Sequence, residues 1–294
     1  MSSNKDDKLF FLLVSDIHGS SAKLNQLIAY CQKNSIKPDY ILCLGDIVSI
    51  PQGSQDNKPI CEEKQKEIKN LFSLLESICP NIIYVPGNHD PQTLFKVEES
   101  PKITENSINL HLRSHIIKDD LLLVGVGGCI CAVSSKEEKD FCHSYHNIDT
   151  KKIVWPGYPY IDSNDSPDYE KSDEILRKDL NKIDSAVDNH KGNVLVLSHV
   201  GPFTSNTSNE FEDILIYAGS RALNDFLIKY ENKIIGNVHG HNHDAHGMGK
   251  VHKIKIFNPG AILSKRFGTL SLVKNPESNY NWKVEKYEQI NLIE

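Results

Sequence analysis

The stretch Leu9-Phe10-Phe11-Leu12-Leu13-Val14-Ser15-Asp16-Ile17-His18-Gly19 decides how the rest of the chain is read. Its six consecutive apolar residues fall far short of the ~18 a membrane span needs. A short continuous run of this kind suits a strand buried on both faces. The run ends in an Asp-x-His and a glycine. The first side chains able to do chemistry therefore stand where a strand stops.

The same unit recurs along the chain. Tyr40–Leu44 leads into Gly45-Asp46-Ile47, and Asn81–Val85 into Pro86-Gly87-Asn88-His89-Asp90. Val194–Leu197 leads into Ser198-His199-Val200-Gly201-Pro202, and Ile234–Val238 into His239-Gly240-His241-Asn242-His243. Further apolar runs stand at Leu121–Val126 and Ile254–Phe257, and Thr269–Val273 with Trp282–Tyr287 reads as a closing hairpin. Between the runs, Ser21–Cys31, Cys61–Ile78, Asp173–Val187 and Ser220–Tyr230 carry apolar residues at helical spacing. Strands alternating with helices predict a layered α/β fold. In such folds ligands bind at the carboxyl ends of the strands. Five segments deliver Asp, Asn or His to that one edge.

One stretch breaks the rhythm. Ser134–Lys171 is polar, with Trp155-Pro156-Gly157-Tyr158-Pro159-Tyr160 inside it. It is too long for an ordinary connection, and such loops tend to be functional. The expectation is one domain over residues 1–294 with a lid-like insertion at 134–171, its part His143–Tyr160 forming some of the pocket wall.

Composition narrows the function. The 294 residues hold 33 Lys+Arg and 39 Asp+Glu, a formal net charge of −6. That balance weighs against a nucleic-acid partner or an anionic membrane surface, both of which want basic stripes. Hydrophobic content of 39% with 24% charged residues fits an ordinary globule rather than a disordered chain. The polar start Met1–Lys8 lacks a signal peptide's apolar core and cleavage site. Seven cysteines with no CxxC pair read as free thiols, and the chain as cytoplasmic. Gly125-Val126-Gly127-Gly128-Cys129-Ile130 lacks the third glycine of a dinucleotide loop, and no helical pattern follows it.

Taken singly, each polar cluster has an ordinary explanation. A strand-end Asp caps a helix, a Gly-Asp pair makes a turn, and a histidine packs in a core. His241-Asn242-His243 says more, because alternate residues of an extended segment point to one side. The order decides: Asp-x-His, Gly-Asp, Gly-Asn-His-Asp, His, Gly-His-x-His. In that order, from about Leu9 to Ala261, the chain resembles the calcineurin-like metallophosphoesterase superfamily. The resemblance implies a four-layer α/β/β/α sandwich of two mixed β-sheets flanked by helices. It also implies hydrolysis of a phosphomonoester or phosphodiester at a dinuclear metal centre.

The roles it implies are these. Asp16, His18 and His243 hold one metal; Asn88, His199 and His241 hold the other; Asp46 bridges them. A bridging hydroxide attacks phosphorus, His89 protonates the leaving group as general acid, and Asp90 orients His89. Nitrogen and oxygen ligands without thiolate suit Mn, Fe, Co, Ni or Zn, with Mn favoured. Ser220 reads as a helix N-cap that places Arg221 near substrate phosphate.

Departures from the family's branches matter too. Gly45-Asp46-Ile47-Val48-Ser49-Ile50-Pro51 lacks the Asp-Arg-Gly of PPP-type protein phosphatases, and Ser49 stands where purple acid phosphatases carry a tyrosine. Ala218–Leu223 and Asn258-Pro259-Gly260-Ala261 resemble the small bacterial and archaeal metallophosphoesterases of uncertain substrate. The expected partner is a small phosphoester. The alternatives are a non-catalytic scaffold on the same fold, or a nuclease.

Overall fold

The computed structural model describes residues 7–51, 53–134, 153–155, 157–160, 167–211, 215–275 and 282–292. The strands, in chain order, are β1 (Lys8–Val14), β2 (Tyr40–Cys43), β3 (Ile82–Tyr84), β4 (Ser107–Asn109), β5 (Arg113–Lys118), β6 (Leu121–Val126), β7 (Ala132–Ser134) and β8 (Ile153–Trp155). They continue with β9 (Asn193–Ser198), β10 (Asn209–Phe211), β11 (Leu215–Tyr217), β12 (Ile234–Val238), β13 (Gly247–Val251), β14 (Ile254–Asn258), β15 (Arg266–Lys274) and β16 (Trp282–Asn291). The helices are α1 (Ser21–Lys33), α2 (Lys58–Glu76), α3 (Tyr169–Asn181), α4 (Asp184–Asn189) and α5 (Arg221–Lys229).

Two six-stranded sheets form, in the orders β16-β15-β1-β2-β3-β4 and β13-β14-β12-β9-β6-β5. Both are mixed. β1, β2, β3 and β4 run parallel while β15 and β16 are antiparallel, and β6, β9, β12 and β14 run parallel between antiparallel edges. The expected closing hairpin is β15–β16.

The layering follows from strand alternation. On β1, Phe11 and Leu13 face inward and join Leu42, Leu44, Leu123, Leu195, Leu197 and Phe257 between the sheets. Leu12 and Val14 face outward and pack on α1 and α2 through Leu24, Leu27, Ile68 and Phe72. On the far side, Val194 and Val196 meet Leu176, Leu180, Leu223 and Leu227 of α3 and α5. Three apolar seams thus hold four layers, the expected α/β/β/α sandwich. Trp282 is fully buried in the central seam and donates its ring N–H to Asp120 at 2.7 Å.

Three expectations need correction. The single helix expected over Asp173–Val187 is two, α3 and α4. Ile183, between them, turns into the core and is 3% exposed. Strands β4, β5, β10 and β13 carry no apolar run of their own, and pairing with neighbours forms them. Finally, the 134–171 insertion is not simply a loop. Strand β7 ends at its first residue, β8 lies near its middle and α3 begins before it closes; β7 and β8 pair antiparallel and with β10–β11 make a small third sheet. Residues 135–152 and 161–166, and with them most of the expected lid, lie outside the described residues. Tyr158 exchanges backbone hydrogen bonds with Cys129 and lays its ring edge-on to Phe95, and Tyr160 is buried with its hydroxyl donating to Gly127 O at 2.7 Å. Residues 157–160 of the insertion are thus fixed to the sandwich. No described helix is long and apolar enough to cross a membrane.

Candidate metal centre and active site

Each strand-end cluster sits in a loop after a parallel strand. Asp16 and His18 follow β1, Asp46 follows β2, and Asn88, His89 and Asp90 follow β3, all in the first sheet. His199 follows β9, and His241 and His243 follow β12, in the second sheet. The site straddles the seam between the two.

Hydrogen bonds tie the five loops together. Asp16 N–H donates to Gly45 O, His18 N–H to Asp46 O and Gly19 N–H to Ile47 O, at 2.9–3.0 Å. His89 N–H donates to Asp46 Oδ1 at 2.8 Å, Gly240 N–H to His199 O at 3.1 Å, and His241 N–H to Asp16 Oδ2 at 3.2 Å. Holding donors this close bends the backbone. Asp16 (φ 52°), His18 (φ 49°), Asp46 (φ 49°) and His241 (φ 69°) all take the left-handed conformation. That conformation costs an L-residue ~1–2 kcal/mol, and such strain gathers at functional sites.

The side chains fall into two groups. Asp16, His18 and His243 converge in one, and Asp46, His199 and His241 in the other, with the ligand atoms of each within 4.8 Å of one another. His243 Nε2 is 3.3 Å from Asp16 Oδ1. Asp46 Oδ2 lies 3.7 Å from His18 Nε2 and 3.4 Å from His199 Nε2, so one carboxylate oxygen reaches both groups. Asn88 Oδ1 stands 3.0 Å from His199 Nε2, in the second group. Two donors on one ion at ~2.0–2.2 Å would themselves be about 3–3.5 Å apart. The 3.3, 3.4 and 3.0 Å spacings fit that requirement, and the 3.7 Å approach of Asp46 to His18 lies just beyond it. Asp16 Oδ1 and His18 Nε2 are also buried without a hydrogen-bond partner among the described residues, which otherwise incurs a desolvation penalty.

Outer contacts set which nitrogen faces inward. His199 Nδ1 meets Leu44 O at 2.7 Å and His18 Nδ1 meets Ser49 Oγ at 2.9 Å, leaving both Nε2 atoms for the site. Ser15 Oγ donates to Asp16 Oδ2 at 2.5 Å. Ser15 and Ser49 were missed as participants. Only Ser49's place three residues after Asp46 was a signal.

The electrostatics show what the cluster needs. Burial raises the Asp46 carboxyl, but the charge and hydrogen bond of His199 and the charges of His89 and His18 outweigh it and hold it well below the usual range. At Asp16 burial again works upward, and the close approach of His243 with the charges of His199 and His243 prevails. Burial disfavours a charged His199, yet Asp46 and Asp16 lift it to about 9. Burial, helped by the charge on His199, presses His241 down to about 3. Two buried carboxylates thus leave negative charge in the site that calls for positive charge beside it. Divalent ions held by these oxygen and imidazole donors would meet the same demand.

His89 is half-buried, its ring edge-on to His18 with centroids 5.2 Å apart. Its backbone is pinned at both ends, by Asp46 Oδ1 and by Ile50 N–H. Among the described residues its ring forms no hydrogen bond, and Asp90 does not orient it as expected. The Asp90 carboxylate is fully buried and accepts from Gly87 N–H at 2.7 Å and Val48 N–H at 3.0 Å. Asp90 therefore clamps the loop behind β3 to the loop behind β2. Burial and the charge of Asp46 raise it to about 7.

Arg221 also differs from expectation. Its guanidinium lies between the rings of Tyr169 and Phe203, 5.1 Å from each centroid, and pairs with Glu170 at 2.7 Å. Tyr169 and Glu170 lie on α3 and Phe203 in the loop after β9, and none of the three belongs to the two donor groups. Ser220 does cap α5, accepting from Leu223 N–H at 3.0 Å.

A layered sandwich with two linked groups of imidazole and carboxylate donors on its strand-end rim is a scaffold able to hold metal ions. The chain belongs to the calcineurin-like phosphoesterase family, whose model matches residues 11–245. Among solved structures, TT1561 of Thermus thermophilus is 14% identical, with a TM-score of 0.55 over 97% of this chain and 99% of that one. The phosphoesterase YfcE from E. coli is 12% identical, with a TM-score of 0.37 over 97% of this chain and 100% of that one. A novel archaeal phosphodiesterase is 12% identical, with a TM-score of 0.39 over 96% of this chain and 99% of that one. At these identities the likeness is one of fold, and the first structure carries it. No curated protein matches.

Proposed function

We propose that this chain is a metal-dependent phosphoric ester hydrolase acting on a small phosphomonoester or phosphodiester, in a cytosolic setting. The observation that carries the reading is the single Asp46 oxygen shared between two donor groups, with His89 beside them. Asp16, His18 and His243 would hold one divalent ion, and Asn88, His199 and His241 the other, with Asp46 common to both. Two bound ions supply positive charge for phosphoryl oxygens and a water acidic enough to act as nucleophile near neutral pH. Manganese is the first ion to test.

The protein's own part is positional. Linked loops hold the donors in strained conformations that water alone would not maintain. Leu44 O and Ser49 Oγ keep the Nε2 atoms of His199 and His18 turned inward. His89, fixed by its backbone and with a ring free to meet a ligand, is placed to hand a proton to a leaving alkoxide. A positioned general acid is worth ~10²–10⁴-fold in rate. With Mn²⁺ added, purified protein should hydrolyse p-nitrophenyl phosphate or its bis ester. His89→Ala should lose a factor in that range and keep its metals. Wild-type turnover by His89→Ala would remove the acid from the mechanism.

A further inference from the structure

We infer that Asn258 is a positioning residue that serves both donor groups at once, through the loop bearing His241 and His243. The inference rests on the metal reading of the site. Asn258 ends β14 and is fully buried. Its Oδ1 accepts from Gly260 N–H at 2.9 Å, which closes the Asn-Pro-Gly turn. A turn needs nothing more from this side chain, since an Asx turn uses the oxygen alone.

The amide nitrogen does a second job. Nδ2 faces three backbone carbonyls: Asn242 O at 2.7 Å, Ala245 O at 3.2 Å and Thr207 O at 3.3 Å. Asn242 sits between the two histidines, and Ala245 closes the loop after them. Thr207 belongs to another loop, and its hydroxyl meets His239 Nε2 at 2.8 Å, two residues before His241. One buried amide therefore gathers the histidine loop and the support beneath it. His241 belongs to the second donor group and His243 to the first. Loosening this loop must disturb both groups, whereas loosening Ser49 disturbs only His18 and the first.

Asn258→Asp separates the two jobs. It keeps the shape and the oxygen that closes the turn, and sets a carboxylate oxygen against three carbonyls. Asn258→Ser is the companion variant, keeping an acceptor and adding no charge. Mn²⁺ binding to the full chain would be followed by electron paramagnetic resonance of the free ion, with melting in EDTA as the fold check. Wild type should bind two ions per chain. Both Asn258 variants should weaken both sites by about 10–100-fold, the usual effect of losing an outer-shell partner. Ser49→Ala should weaken one site only. A folded Asn258 variant that keeps wild-type affinity at either site overturns the inference, and a lowered melting point with unchanged affinity assigns Asn258 to the turn alone. A wild-type protein that binds no Mn²⁺ overturns the metal reading itself, an outcome distinct from the others.

Discussion

Gly87→Ala puts the most direct load on the geometry of the site. Gly87 lies against Asp46, the carboxylate both donor groups share. A methyl built on Gly87 would stand 2.8 Å from Asp46 Cγ and closer still to its Oδ1 and backbone N. Carbon atoms rest at about 3.5–4.0 Å, so one loop must retreat by roughly 1 Å. Retreat of the β3 loop stretches Gly87 N–H away from Asp90, now 2.7 Å, and His89 N–H away from Asp46 Oδ1, now 2.8 Å. Retreat of Asp46 instead opens its 3.4 Å and 3.7 Å approaches to His199 and His18. A displacement of ~1 Å at reacting groups costs on the order of 10²-fold in rate. Overpacking a tight site costs ~1–3 kcal/mol of stability. The assay is Mn²⁺-dependent hydrolysis of p-nitrophenyl phosphate, run beside thermal melts in EDTA. Gly53→Ala is the comparison for backbone strain without a clash at the site: its φ of 79° disfavours any L side chain, yet a methyl there meets nothing within 4 Å, so it should lower stability and leave turnover unchanged. Wild-type turnover by Gly87→Ala would mean that the position of Asp46 does not govern the site, and the argument built on it would fail.

Other outcomes follow from buried groups away from the rim. His111 is 3% exposed and its Nδ1 accepts from Gly127 N–H at 2.9 Å. Burial, then the charges of Lys182 and Arg113, press it from 6.5 to about 3. It stays neutral in the fold while the unfolded chain takes up a proton, so its stability contribution is whole above 6.5 and drains away as pH falls toward 3. At pH 5 the loss is about 2 kcal/mol. Urea melts at pH 7 and pH 5 should show His111→Gln losing about that much less than wild type; equal losses would discount the argument. Cys31, Cys43, Cys61, Cys79, Cys129 and Cys131 are free and buried, and burial raises the Cys31 thiol to about 11. A thiol reagent should label these six only after denaturation, and rapid labelling of any of them in the native protein contradicts their burial. Trp282→Ala should cost ~3–5 kcal/mol by emptying the seam between the sheets, a loss that chemical denaturation measures and that a change under ~1 kcal/mol would disprove.

How much of this was legible beforehand depended on what each residue leaves in the linear order. Apolar runs ending in Asp, Asn or His told where strands stop and which edge bears the site, because burial on both faces forces continuous apolar sequence. Strand β5, reading Arg-Ser-His-Ile-Ile-Lys, and strand β13, with two glycines, leave no such trace, since partner strands supply their stability. Ser15 left no trace in the sequence and Ser49 only its place after Asp46, because an outer contact needs only a hydroxyl. Asp90 misled because adjacency to His89 suggested a pair, whereas buried backbone N–H groups of Gly87 and Val48 claim both its oxygens. Arg221 misled in the same way, its charge drawn to two aromatic faces and Glu170.

The donors come from loops of both sheets, and the seam beneath them is mainly apolar, with a few polar ties such as Trp282 Nε1–H to Asp120 at 2.7 Å. Apolar seams are non-directional and by themselves permit small slides. A site that closes only when five loops from two sheets align is therefore a gauge of that alignment. The ion affinity of the centre should track how faithfully the two halves of the sandwich are registered, including after changes made deep in the seam at Phe11 or Leu195.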